Sequence, residues 1–172
     1  MPQQANYVEV ARIGDAAIYR VVGLGNMLSS PAVWGLADRL IGEGVSKFVF
    51  EMSLCTGLDS TFTGMLVGLT HQVKRLEQGG WVCVVNASER ARASLAMLGA
   101  DKFVEMRDTL PLDDIIMQRL EVGVCSRAVR LEVIRRAHET LVAMDRANRE
   151  RFGSFLESLE REMRERAGEG ED

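Results

Sequence analysis

The stretch Leu54-Cys55-Thr56-Gly57-Leu58-Asp59-Ser60-Thr61-Phe62-Thr63-Gly64 concentrates hydroxyls and a carboxylate at one boundary in the chain. Upstream, residues 47–52 form an apolar run that reads as a strand. Downstream, Phe62, Met65, Leu66, Leu69, Val73 and Leu76 recur at helical spacing. At a strand-to-helix junction the first backbone N–H groups lack partners, and the helix dipole is positive there. Asp59, Ser60 and Thr61 are all residue types that cap such an end. A phosphoryl group on one of these hydroxyls would add about −1.5 to −2 charges at a point that accommodates an anion. It would leave the fold intact and change what the surface repels. The residue types support capping and modification alike.

Other chemistries find less support. Cys55, Cys83 and Cys125 are odd in number, widely spaced and without a CxxC pair, so neither a disulfide framework nor a zinc site is expected. Cys83 lies in the apolar run 81–85 and reads as a small core residue. His71 and His138 stand alone on helical stretches, with no Cys, Asp or Glu at metal-ligand spacing. His71 reads as a helix-surface or boundary residue. No Ser-His-Asp or Cys-His set assembles, and no pair of buried carboxylates stands out, so the reading is a non-enzyme without cofactor or metal. Gly23-Leu24-Gly25-Asn26 follows a strand and resembles a dinucleotide loop, with Glu51 as a candidate ribose acid. However, Leu28 occupies the third glycine position, where a side chain would obstruct the phosphates.

The elements that must position the junction follow from periodicity. Residues 7–13 alternate apolar and polar, residues 16–22 are again strand-like, and Gly14-Asp15 between them is a hairpin turn. Ser30-Pro31 opens a helix whose buried stripe is Trp34, Ala37, Leu40 and Ile41. Strands at 47–52, 81–85 and 103–106 alternate with helices from about 59 and 88. Crossovers of that length imply a largely parallel sheet, mixed by the opening hairpin. The fold class is α/β. A net charge of −4 argues against nucleic acid as a partner, no apolar run is long enough for a membrane span, and the polar start of the chain lacks a leader pattern. The expected location is cytoplasmic.

From Pro111 the character changes. Residues 112–124 read as an acidic and apolar connector containing a short helix. Residues 126–166 read as one helical stretch, with Val133, Ala137, Leu141, Met144, Phe152, Phe155, Leu159 and Met163 as its stripe. Asn148 interrupts the stripe and would suit a register-fixing position in a helix seam. The stripe is expected to dock on its own domain or to pair with a second copy of the chain. Residues 168–172 are acidic and expected to fray.

Asp59-Ser60-Thr61 with Gly64, after the strand that ends in Glu51-Met52, resembles the phosphorylation motif of the STAS family in its anti-sigma-factor-antagonist form, Asp-Ser-Ser-Gly-Leu-Gly. Asp59, Ser60 and Gly64 match. Thr61 is a conservative replacement, while Phe62 and Thr63 depart from the pattern. The order of elements from about 7 to 107 also fits. The resemblance implies a STAS-like mixed β-sheet covered by helices over residues 1–109. A long helical C-terminal extension, 110–172, lies outside what it describes. It further implies that Ser60, with Thr61 and Thr63 as alternates, is phosphorylated by a serine-kinase partner that is itself the anti-sigma factor, and that only the unmodified protein binds this partner. The implied contact surface is Asn26, Ser29, Ser30, Asp59, Ser60, Thr61, Phe62 and Gly64, with Phe62 readable as contact or as core. Two other readings stay open: an unphosphorylated scaffold that oligomerises through its tail, and a small-ligand or nucleotide-binding domain.

Overall fold

The computed structural model describes residues 5–112, 114–123 and 125–169. The chain opens with β1 (Tyr7–Ile13) and β2 (Ala16–Gly25), an antiparallel hairpin whose register from Tyr7–Val22 to Ile13–Ala16 leaves Gly14-Asp15 as its turn. There follow α1 (Ser30–Gly42), β3 (Lys47–Glu51), β4 (Cys55–Leu58), α2 (Ser60–Lys74) and β5 (Trp81–Val85). Next come α3 (Glu89–Met97), a single 3-10 turn (Ala100–Lys102), β6 (Glu105–Arg107) and β7 (Gln118–Arg119). The chain ends in α4 (Arg127–Met144) and α5 (Arg146–Glu169).

The sheet runs β6-β5-β3-β2-β1-β7, with β2, β3, β5 and β6 parallel, β1 and β7 antiparallel, and β4 paired to the end of β2. The period of two along each strand divides the core. Tyr19, Phe48, Phe50, Val82 and Val84 pack under the helices, where Tyr19 stacks on Phe50 at 5.0 Å. On the other face, Ile18, Val49, Cys83 and Val85 meet Leu110, Leu112, Ile115 and Met117.

That second face explains why the connector is not helical. An uncovered row of Ile, Val and Cys needs an apolar cover, and the connector crosses it as an extended strap. The strap is held by a paired bond, Asn86 Nδ2 donating to Leu110 O at 2.9 Å and Leu110 N donating to Asn86 Oδ1 at 3.0 Å. It ends in β7, antiparallel to β1. The sheet domain therefore continues beyond the expected boundary at 109. Asp113 and Val124 of the expected connector helix lie outside the described residues.

The tail differs from expectation too. It is two helices rather than one, broken at Asp145, whose backbone is extended (φ −158°, ψ 172°) and whose carboxylate accepts from Asn148 N at 2.8 Å. Capping at Asp145 competes with continuing the helix. Asn148 is engaged within this chain: its Nδ2 donates to Leu98 O at 2.9 Å, tying α5 to the end of α3. Val133, Ala137 and Leu141, the stripe that was expected to dock or to pair, are buried within this chain. Arg136 of α4 lies 3.9 Å over the ring of Trp34 in α1 and pairs with Asp38. The frayed end was expected over 168–172, but α5 runs to Glu169; residues 170–172 lie outside the described residues.

Candidate functional site

The start of α2 is set by Asp59, not Ser60. Asp59 is extended (φ −82°, ψ 174°), and its Oδ1 accepts from Phe62 N at 2.8 Å, which makes it the N-cap. Its Oδ2 accepts from Met27 N at 2.7 Å, binding the loop before α1 to the same helix end. One carboxylate thus fixes two segments. Ser60 is left as the first helical residue, half-buried, with a hydroxyl that has no capping duty.

The Ser60 Oγ lies 3.0 Å from His138 Nε2 of α4. His138 Nδ1 lies 2.8 Å from Ile134 O. A carbonyl oxygen only accepts, so Nδ1 carries the proton and Nε2 is the lone pair that receives the Ser60 hydroxyl. The imidazole is 4% exposed, with Phe152 and Phe155 of α5 against it at 5.1 and 4.8 Å between ring centres. The close approach of α4 depends on Gly64, one turn beyond Ser60. A Cβ there would stand 2.3 Å from Ala137 O, a backbone atom that cannot yield.

Burial pushes His138 below the ordinary imidazole value of 6.5; the bond to Ile134 O and the charge of Asp59 oppose that shift but do not cancel it. The docked state therefore holds the neutral ring, while an undocked or unfolded chain binds a proton near pH 6.5. The contribution of this contact is present above that pH and is lost as the pH falls through it. His71 is shifted in the same direction by burial and by Arg75 and Lys74, so the informative quantity is a difference. The urea midpoint of the wild type is expected to fall more between pH 7.5 and 5 than that of His138→Gln.

The remaining expected site residues take other places. Asn26 shapes the loop before α1: its Oδ1 accepts from Leu28 N at 2.9 Å, and its carbonyl accepts from Ser29 Oγ at 3.1 Å and Ser30 Oγ at 2.8 Å. Ser29 and Ser30 are buried, turned into this network and away from a partner's reach. Thr61 and Thr63 are sealed at 3% and 0% exposure, so neither offers a hydroxyl to a kinase. Phe62 is core, edge-on to Phe50 with centres 6.5 Å apart. Gly64 faces α4. Among the exposed residues on the segments next to α2's start are four large apolar ones: Leu24 at the end of β2, Met27 and Leu28 before α1, and Leu54 before β4.

A family model of the STAS domain matches residues 7–111, well over half of the chain. The chain belongs to the STAS family. Solved structures agree in fold. The anti-sigma factor antagonist SpoIIAA in its unphosphorylated form is similar with a TM-score of 0.54 at 14% identity, over 60% of this chain and 88% of that one. An anti-sigma factor antagonist from Mycobacterium paratuberculosis is similar with a TM-score of 0.50 at 19% identity, over 65% of this chain and 92% of that one. At such identities the likeness is one of fold. No curated protein gives a significant match.

Within this STAS domain the nucleotide loop does not form. Gly23–Gly25 is the end of β2, paired with β4. A Cβ at Gly25 would stand 2.8 Å from Leu58 Cδ2 and 3.1 Å from the Phe62 ring, so this glycine serves the packing of α2's start. Glu51 faces Arg20 at 3.3 Å and accepts from Ser53 N at 3.1 Å. Cys55, next to the motif, is buried with its thiol pushed up by that burial, which suits a packing role. Among the described residues no group of three or more His, Cys, Asp or Glu gathers at metal-binding distance, and no helix is long and apolar enough to cross a membrane.

Sequence reasoning missed His138 as a site residue. It stands 78 positions from Ser60, and only the docking of α4 brings the two together. The available signal was weak: a polar residue flanking the apolar stripe of 133, 137 and 141.

Proposed function

We propose that this STAS domain is a phosphorylation-switched anti-sigma-factor antagonist, a binding module of the cytoplasm and not an enzyme. The supporting observation is the division of labour at the start of α2. Asp59 does the capping, so the Ser60 hydroxyl can be modified without uncapping the helix. In the proposed reaction a partner serine kinase, itself the anti-sigma factor, transfers the γ-phosphoryl group of ATP to Ser60 Oγ. The serine proton leaves to a base and ADP is released.

Leu24, Met27, Leu28 and Leu54 are exposed on segments hydrogen-bonded into the start of α2, Met27 through its N–H to Asp59, and offer an apolar rim of the kind protein partners bury; Leu28 is 55% exposed. An added dianion at the helix N-terminus is favoured by the first-turn N–H groups and the helix dipole, while the hydroxyl's donation to His138 Nε2 is lost. Across a desolvated interface the dianion is an unpaired charge. The likeness to SpoIIAA, whose structure is described by its unphosphorylated form, agrees with this reading.

Mass spectrometry of protein isolated from its native cells is expected to find phosphate on Ser60. Phosphate confined to other residues, or none under any growth condition, would overturn the reading.

A further inference from the structure

We propose that the α4–α5 hairpin is a covering arm that occupies the Ser60 face of α2, so that a protein partner and the arm compete for the same surface. The inference deepens the proposed function and rests on Ser60 being the regulated hydroxyl.

Three observations carry it. The arm lies outside residues 7–111, the span of the family match, so the STAS domain does not require it as part of its pattern. It is nevertheless seated by close contacts: Ser60 Oγ to His138 Nε2 at 3.0 Å, and Gly64 so near Ala137 that a Cβ would reach within 2.3 Å of its carbonyl oxygen. Finally, α5 closes the arrangement from outside. Phe152 and Phe155 stand against the His138 ring, and Asn148 ties the helix to Leu98 O.

A kinase must bring a nucleotide phosphate in line with the Ser60 oxygen, and the imidazole stands in the direction of the hydroxyl's hydrogen bond. Ser60 keeps some exposure. The approach across α2 is taken by α4. The hinge is the segment after β7: Leu120 N still donates to Val8 O at 2.8 Å, and Val122 beyond it is 42% exposed. The strap at Leu110 and Leu112 stays with the sheet when the arm leaves.

The test uses the full chain and no kinase. In a Cys125→Ser background, Ser60→Cys places a thiol where the hydroxyl stood; Cys55 and Cys83 are buried, and a protein retaining Ser60 supplies the background. The rate of maleimide addition at position 60 is the readout. Ala137→Arg puts a long charged side chain at a fully buried position of α4, and it is expected to raise that rate tenfold or more. Asn148→Ala, which removes only the tie to Leu98 and keeps the helix packing, is expected to raise it severalfold and guards against misfolding of the first variant. Unchanged rates in both variants overturn the arm. Because the reagent replaces the kinase, failure here leaves the phosphorylation reading untouched, and absence of phosphate in cells leaves the arm result standing.

Discussion

Ser60→Asp is expected to bind the cognate kinase-type anti-sigma partner at least a hundredfold more weakly than the wild type, roughly 3 kcal/mol of binding free energy. Ser60→Ala is expected to retain binding. Both variants should fold, because the cap of α2 is Asp59 and neither substitution touches it. Leu24, Met27, Leu28 and Leu54 are exposed on the segments that lead into the start of α2. A partner that buries this rim also buries the new charge, and a charge taken out of water without a counter-ion is strongly unfavourable. Ser60→Ala also removes the donor to His138 Nε2, leaving a buried acceptor unsatisfied at a cost of about 1–3 kcal/mol to the docked arm. If the arm competes for the face, that loss favours the partner, so Ser60→Ala should bind no worse than wild type. Isothermal calorimetry with the purified partner decides the matter. Equal affinities for the Asp and Ala variants would remove the charge from the account of the switch.

The second large effect concerns Phe62, which stands where the family motif has glycine. Phe62→Ala is expected to lower stability by about 3–5 kcal/mol, the usual cost of emptying a buried aromatic site. The ring is fully buried, edge-on to Phe50, and lies under Gly25, whose absent Cβ leaves room for it. Urea unfolding gives the number. A variant with unchanged stability and lost partner binding would instead make Phe62 a contact residue. The departure from the family pattern thus reads as a packing solution: a large side chain fills the space among β2, β3 and the start of α2.

The two predictions separate the roles of neighbouring residues. In the proposed switch Ser60 governs what binds, and Phe62 governs whether the site exists. Helical geometry accounts for the difference, because residues 60 and 62 lie about 200° apart around the axis. One side faces the arm and the loops, the other the sheet.

Much of this was legible in the residues alone. The hairpin of Gly14-Asp15, the alternation of apolar strands with stripes at helical spacing, and the Asp-Ser pair at a strand end are local patterns, and local patterns specify local structure. They determined the α/β class, a largely parallel sheet mixed by the opening hairpin, and the position of Ser60 at a helix start. What remained open was decided by surfaces that meet only after folding. The connector reads as helical by composition, yet it became a strap because the sheet's second face of Ile18, Val49, Cys83 and Val85 had to be covered. The tail reads as one helix, yet it broke at Asp145 because capping there, with Asn148 held by Leu98 O, lets α5 fold back. Thr61 and Thr63 resemble Ser60 as acceptors in sequence, but they point inward on the helix and are sealed. His138 carried no mark of function until Gly64 admitted α4 closely enough for an imidazole to reach a hydroxyl 78 residues away. Sequence determined which residue opens α2. Tertiary packing alone decided what stands in front of it, because docking depends on the fit of two finished surfaces and not on the pattern of either.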